Sequence, residues 1–318
     1  MKTRTLTISS ILLAALFLTT PFVSAKKRGG DAEEHRRKAL ELIDAKQFDK
    51  AVEEFNKEVE ADPGSPAGYK DRGIAYRMAG RAAVAAKDGP AAGARFNSAN
   101  ADFSKAIELA PNDPVGYLER GQTEIAQIAF DPAIADLTKA IELKGDEALC
   151  YKFRGFAYVG LNQWDKAVAD FTVAIQKNPN DQQNYDQRAL AYRNLKNFDA
   201  ALADYTTAIE KNPSYEPEYA RRGYTYASME QYDKAVADYQ QALKLDPNDQ
   251  DTIERMKYAQ GRLAAGNAPA ATPTPAPGAS FFTPAKLFFV LVILVIIAVV
   301  VRYLTRGKPE QTSSMRIR

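Results

Sequence analysis

The sequence predicts an all-α solenoid, and three observations carry that prediction. A unit of 34 residues recurs six times without a gap between Ala32 and Asp249, at 32–65, 66–113, 114–147, 148–181, 182–215 and 216–249, the second with 14 additional residues. Within each unit the small and apolar positions fall at helical spacing in two runs, as with Tyr151, Gly155 and Tyr158, then Trp164, Ala167, Phe171 and Ala174. Five of the six units close on a proline, as in Asn178-Pro179-Asn180, and proline cannot continue a helix. One helix pair cannot bury its apolar face alone, so successive pairs stack around a continuous core.

The repeat columns are sharp. The fourth residue is His35, Tyr69, Tyr117, Tyr151, Tyr185 and Tyr219, and the eighth is small: Ala39, Gly73, Gly121, Gly155, Ala189 and Gly223. The seventeenth column is aromatic (Phe48, Phe96, Phe130, Trp164, Phe198, Tyr232) and the twentieth is alanine (Ala51, Ala99, Ala133, Ala167, Ala201, Ala235). A large apolar residue follows at Phe55, Phe103, Leu137, Phe171, Tyr205 and Tyr239. Period and columns together resemble the tetratricopeptide repeat. The departures are Glu58 for a small residue, Glu124 for a tyrosine and Gly145 for the closing proline. The resemblance implies a right-handed superhelical solenoid of six tetratricopeptide hairpins that holds a peptide or partner protein along its concave side.

In chain order, residues 1–25 read as a secretory signal peptide: Lys2 and Arg4 at the start, an apolar run Ile8–Leu18, and the small-residue cleavage site Val23-Ser24-Ala25. An uncleaved anchor would need a longer apolar run. Residues 26–31 form a basic spacer, with Asp31 suited to cap the first helix. The solenoid occupies 32–264. Its one irregularity, Arg81–Ala94, is rich in alanine with Gly89-Pro90 as a turn, and is expected to lengthen both helices of the second hairpin. It is either a neutral insertion or a docking knob. Residues 250–264 form a polar-backed capping helix, with Ile253, Met256, Ala259, Gln260 and Leu263 toward the last repeat.

Residues 265–284 hold five prolines and no charge, an extended linker with a reach of roughly 45–60 Å. Residues 285–304 contain the uninterrupted apolar run Leu287–Val301. Flanked by Lys286 and Arg302, they read as a single transmembrane helix across a hydrocarbon core of ~30 Å. The tail 305–318 is basic, which together with Arg302 places it in the cytoplasm by the positive-inside rule and the repeats outside. The expected location is a bacterial cytoplasmic membrane, single-pass, with the repeats periplasmic or otherwise extracytoplasmic.

Lys plus Arg number 42 against 40 Asp plus Glu, a balance that gives no electrostatic case for nucleic acid. One histidine, His35, and one cysteine, Cys150, exclude the usual His/Cys zinc sites and leave no plausible nucleophile–base pair. No phosphate-cradling glycine motif is present. The sequence therefore points to no enzyme, no cofactor and no metal, but to a protein-binding scaffold on the membrane's outer face that serves the assembly of an envelope complex. A self-associating oligomer, or a protein that binds or hydrolyses wall polymers, is the alternative.

Two polar patterns stand out. The seventh column is Lys38, Arg72, Arg120, Arg154, Arg188 and Arg222, and the twenty-third is Glu54, Asp102, Asp136, Asp170, Asp204 and Asp238. Paired across each hairpin they would form a structural ion-pair ladder, since a guanidinium fork matches a carboxylate. Read alone, the arginines could grasp an anionic ligand. The second, fifth, ninth and twelfth columns make a stripe beside the packing face of each first helix. The resemblance assigns this stripe to the concave groove. It includes Lys70, Ile74, Arg77, Leu118, Gln122, Leu149, Lys152, Phe156, Val159, Leu190 and Arg193. Across units two to five its cations outnumber its one acid, Asp186, so the expected ligand is a segment with apolar anchors and acidic residues. The competing reading buries the stripe between neighbouring units.

The topology is testable. A periplasm-active reporter fused near residue 264 should be active and one fused after Arg318 inactive; the opposite pattern would refute the assignment.

Overall fold

The structure, a computed structural model, describes residues 20–266, with side-chain environments from Gly30 onward. Among the described residues there are thirteen α-helices and no strand. They are α1 (Thr20–Asp44), α2 (Phe48–Ala61), α3 (Pro66–Ala85), α4 (Gly89–Leu109), α5 (Pro114–Ala126), α6 (Phe130–Glu142) and α7 (Glu147–Gly160). The rest are α8 (Trp164–Lys177), α9 (Gln182–Asn194), α10 (Phe198–Lys211), α11 (Glu216–Ser228), α12 (Tyr232–Leu245) and α13 (Gln250–Ala264). Odd and even helices pair as six hairpins, each stacked on the next, and α13 closes against α12.

The core is built by the columns. The six alanines of the twentieth column are all 0% exposed, and the large apolar residues from Phe55 to Tyr239 are at most 1% exposed. Those large side chains fill the space that the eighth column leaves open. A Cβ on Gly73 would stand 2.7 Å from the Phe103 ring, and one on Gly155 would stand 2.9 Å from that of Phe171. Both are closer than packed carbon atoms approach, so glycine here sets the distance between the two helices of a hairpin.

Each hairpin turns through three residues, and the middle one is left-handed without being glycine: Lys46, Lys87, Ile128, Asn162, Lys196 and Glu230, with φ between 56° and 63°. The turn closes by backbone bonds of one kind, such as Asn162 N–H to the Val159 carbonyl (3.0 Å) and Gln163 N–H to the Tyr158 carbonyl (2.8 Å). Where Gly145 stands for the closing proline, α6 ends by the same device. Lys144 takes the left-handed conformation at φ 57°, and Gly145 N–H donates to the Ala140 carbonyl at 2.9 Å.

The insertion extends both helices of its hairpin. α3 and α4 have 20 and 21 residues, whereas the other helices of hairpins three to six have 13 or 14. The turn lies at Ala86–Asp88, not at Gly89-Pro90; those two residues open α4, where proline's fixed φ suits the first turn. The Asp88 carboxylate caps that helix by accepting from Ala91 N–H at 3.0 Å.

One expectation at the N-terminal side is corrected. α1 runs without a break through Lys26–Gly30 and Asp31, so that stretch is helical and Asp31 is not a cap. Glycine weakens a helix by about 1 kcal/mol and does not by itself end one. No described helix is long and apolar enough to cross a membrane. The leader up to residue 19, the linker beyond residue 266, the apolar run 285–304 and the tail 305–318 lie outside the described residues.

Ile128 is the β-branched exception among the left-handed turn residues and is 74% exposed, so its side chain gains nothing from packing. Ile128→Asn, the residue that unit four uses at Asn162, should raise stability by roughly 1 kcal/mol in a denaturant titration. An unchanged or lower midpoint would show that this turn carries no strain.

Candidate functional site: the inner face of the first helices

Successive first helices touch one another, α3 with α5, α5 with α7, α7 with α9, and α11 with α13. No pair of second helices among the described residues packs comparably, so the first helices line the inner side of the stack. Both polar patterns of the sequence sit on these helices.

The ladder is formed in five rungs. Arg72, Arg120, Arg154, Arg188 and Arg222 each fork onto both oxygens of Asp102, Asp136, Asp170, Asp204 and Asp238, at 2.5–2.9 Å. The carboxylates are buried, 5–8% exposed. The remaining guanidinium nitrogen donates to the preceding hairpin: to Asn56, Ser104, Thr138, Thr172 and Thr206 in turn, at 3.0–3.1 Å. Tyrosine rings flank it, with Tyr151 and Tyr158 at 5.2 and 5.9 Å from the Arg154 guanidinium. The hydrogen bonds that Arg154 donates to Asp170 hold its guanidinium above its ordinary pKa. With every fork filled, the arginines are structural and do not present an open anion clamp.

The first rung does not form. Lys38 reaches Glu34 at 2.6 Å on its own helix, while Glu54 meets His35 Nδ1 at 2.7 Å and Lys57 at 2.5 Å. The ammonium lacks the fork that spans the hairpin in the other units.

The stripe divides into three. Its cations are engaged between units: Lys70 with Asp113 (2.5 Å), Lys152 with Asp181 (2.6 Å), Arg77 with Glu119 and with Gln122 Oε1 (3.1 Å), and Arg193 over the Tyr224 ring at 4.9 Å. This overturns the charge argument for an acidic ligand, because the cations that motivated it already have partners. Leu118, Gln122 and Arg77 are buried in the seams, and Phe156 packs edge-on against Phe171 at 5.5 Å. Ile74, Val159 and Leu190 are half-buried. Leu149 and Val115 stand open at 38% and 41%, as do Leu40, Tyr224 and Tyr258 in the ninth column.

What the stripe does not show is a set of buried carboxyls. Glu58, Glu124 and Glu218 each keep an Oε2 that is buried and meets no donor. Burial pushes all three up to about 7; the nearby charges of Asp71, Asp136 and Asp186, respectively, push the same way. Glu58 faces Gly68, whose Cβ position lies 3.4 Å from Glu58 Oε1, while Glu124 takes the place of a ring beside Arg120. Two of these were visible as departures from their columns. Glu218 was also legible, in the third column, which is small in units two to four (Gly68, Gly116, Cys150) and turns polar in the last two (Asn184, Glu218), as it is at the end unit's Glu34. Cys150 is fully buried, with its thiol pushed up to about 11 by desolvation, and is chemically inert.

The architecture is that of a helix-hairpin solenoid. Family models described as tetratricopeptide repeat match residues 36–99, 154–181, 187–215 and 217–249, and the chain belongs to that family. A comparison with curated proteins found no match. Among solved structures the chain is similar to YrrB, described as a TPR protein with an unusual peptide-binding site (TM-score 0.51, 20% identity, 64% of this chain and 97% of that one). It is also similar to pilF of Pseudomonas aeruginosa (TM-score 0.59, 14% identity, 74% and 99%). A third is the APC/C hetero-tetramer Cut9-Hcn1 (TM-score 0.58, 15% identity, 76% and 46%). At these identities the likeness is one of fold.

Two predictions follow from these geometries. Arg154→Leu should cost about 3 kcal/mol, because it strands a buried Asp170, and Arg154→Leu with Asp170→Leu should cost less; additive losses in the double-mutant cycle would deny the pairing. The raised carboxyls set a pH dependence. A glutamate held neutral in the fold contributes fully below the ordinary carboxylate range of the unfolded chain, and its contribution is lost as pH rises through about 7. Tm should therefore fall between about pH 4.5 and 7.5, and the E58Q/E124Q/E218Q variant should flatten that fall. An unaltered profile in the variant would refute the assignment.

Proposed function

We propose that this chain is a non-enzymatic scaffold that captures a peptide segment of a partner protein along the inner stripe of its first helices. The observation that carries the reading is the set of large apolar side chains left open there: Leu40, Val115, Leu149, Tyr224 and Tyr258 all lie in the second or ninth column. Open apolar groups in register on one face, rimmed by paired charges, are what an apolar-anchored segment requires. YrrB, of like fold, is described by its peptide-binding site, which supports the same use of the fold here. The leader and the apolar run 285–304 support a further step: the solenoid works outside a bacterial cytoplasmic membrane, held there by one helix, in the assembly of an envelope complex.

A photoreactive residue at Leu149 should crosslink a discrete partner in cells. Val115→Glu should abolish that capture while shifting Tm by no more than a few degrees, since Val115 is largely open. Val84→Glu, at the exposed insertion, should leave it intact. Capture that survives Val115→Glu, or fails equally with Val84→Glu, would take the site away from the stripe.

A further inference from the structure

The stripe is not uniform along its length. At unit five its second- and fifth-column residues, Gln183 and Asp186, open into a polar cavity of about 330 Å³ shared with unit six. Its wall includes Gln182, Tyr215, Glu218 and Arg221. The charges divide unevenly. Arg221 donates to Asp186 at 2.5 Å, and Asp186, 4% exposed, also accepts from Gln187 Nε2 at 2.9 Å, so these two charges answer one another. Glu218 is left over. It is 0% exposed, its carboxyl meets only neutral donors, the Gln182 amide on Oε1 and its own backbone N–H, and its Oε2 is buried without a partner. The hydroxyl of Tyr205, buried within the electrostatic reach of Asp186, Arg221 and Glu218, is likewise unpartnered. Tyr215 stands at the rim, 43% exposed.

A buried carboxylate oxygen without a donor carries the full desolvation cost of its charge. The group that would relieve it must bring N–H donors and a positive charge on a stem slender enough to pass the rim. Gln182 and Tyr205 cannot supply the charge, and Arg221 is already committed. We propose that this cavity is a receptor for a basic side chain, the ammonium or guanidinium of a peptide that lies along the inner stripe. The inference rests on the stripe being the binding face, and it gives the ligand a sign opposite to the one the column charges suggested. The apolar stem of the incoming residue lies against the Tyr215 ring, and its head reaches Glu218 by displacing the Gln182 amide. Glu218, pushed up to about 7 by burial, is ionised above that pH and neutral below it, with Asp186 and Gln182 on α9, Tyr205 on α10 and Arg221 on α11 as its polar surroundings. Capture of the basic residue is thus strongest on the alkaline side.

The test uses the full chain purified in detergent and short fluorescent peptides, leucine-rich and identical except for a central lysine, acetyl-lysine or glutamate. Anisotropy at pH 8 should show the lysine peptide bound at least tenfold tighter than either of the others, a difference of about 1.4 kcal/mol. Glu218→Gln should erase that preference while leaving the acetyl-lysine affinity in place, and Glu124→Gln, at another acid with an unpartnered buried oxygen in unit three, should preserve it. With the wild type, the preference should shrink at pH 5.5, a readout that needs no variant to fold. Equal binding of lysine and acetyl-lysine, tighter binding of the glutamate peptide, or a preference that survives Glu218→Gln overturns the proposal. If all peptides bind equally and Val115→Glu weakens them together, the stripe remains the binding face and only the basic pocket falls. If the lysine preference holds but Val115→Glu has no effect, the pocket stands and the stripe falls.

Discussion

The guanidinium of the seventh column is where three parts of the solenoid meet. Two of its nitrogens hold the second helix of its own hairpin through an aspartate, and a third holds the hairpin before it through Thr138, Thr172 or Thr206. The apolar columns alone would let neighbouring hairpins slide, because alanine against an aromatic ring has little directional preference. The fork has direction. Each rung therefore fixes the angle inside one hairpin and the register to the next, and a buried charge that loses its partner penalises any other arrangement. The ladder stops where that logic stops: the first unit has lysine, which cannot fork, and at the C-terminal end the position falls on Met256, inside an apolar contact with α12.

Rigidity of this kind makes the inner face a fixed template. The same face shows why counting charges by column misleads. Lys70 and Lys152 look free in the first-helix columns, yet their acids, Asp113 and Asp181, sit at the last position of the unit, directly before the next helix. There each aspartate also caps that helix, accepting from Val115 or Gln183 N–H. One carboxylate thus serves a helix start and an inter-unit bridge. A periodic reading that assigns one role to each column cannot express a residue with two roles in two units.

Most of the fold was legible because it is periodic. The alanine, glycine and aromatic columns name the core, and the arginine–aspartate columns name the rungs, since a complementary pair at constant spacing points to one contact repeated. Less legible were features without a period. Nothing local marks Lys26–Asp31 as helical, and the turn at Lys87 displaced Gly89-Pro90 because proline is as good a first residue of a helix as it is a turn former. Burial along the stripe was the hardest to read. Leu118 and Leu149 are the same amino acid on the same stripe of neighbouring units, one 6% and the other 38% exposed. The difference lies in their columns, the fifth turned toward the next unit and the second, shared by Leu149 and Val115, left open, and which column meets a neighbour is a property of the stack.

The departures from the repeat carry more information about function than its regularities. In hairpins two to four the third column is Gly68, Gly116 and Cys150, small enough for the next unit to close on the last. In units five and six the same column becomes Asn184 and Glu218, both essentially fully buried and both holding an oxygen without a donor. Alanine or glycine at either site would satisfy the packing that the other units achieve, so these polar groups are not required by the fold and work against its stability. A repeat array tolerates such a cost locally, because each unit leans only on its neighbours and the loss does not propagate. Buried polar groups that oppose stability are expected at sites with another task. Here Glu218 lines a cavity that opens onto the face where the exposed apolar anchors lie, so under the proposed reading the two unlike demands of a ligand, apolar contact and a single charge, are met on one template.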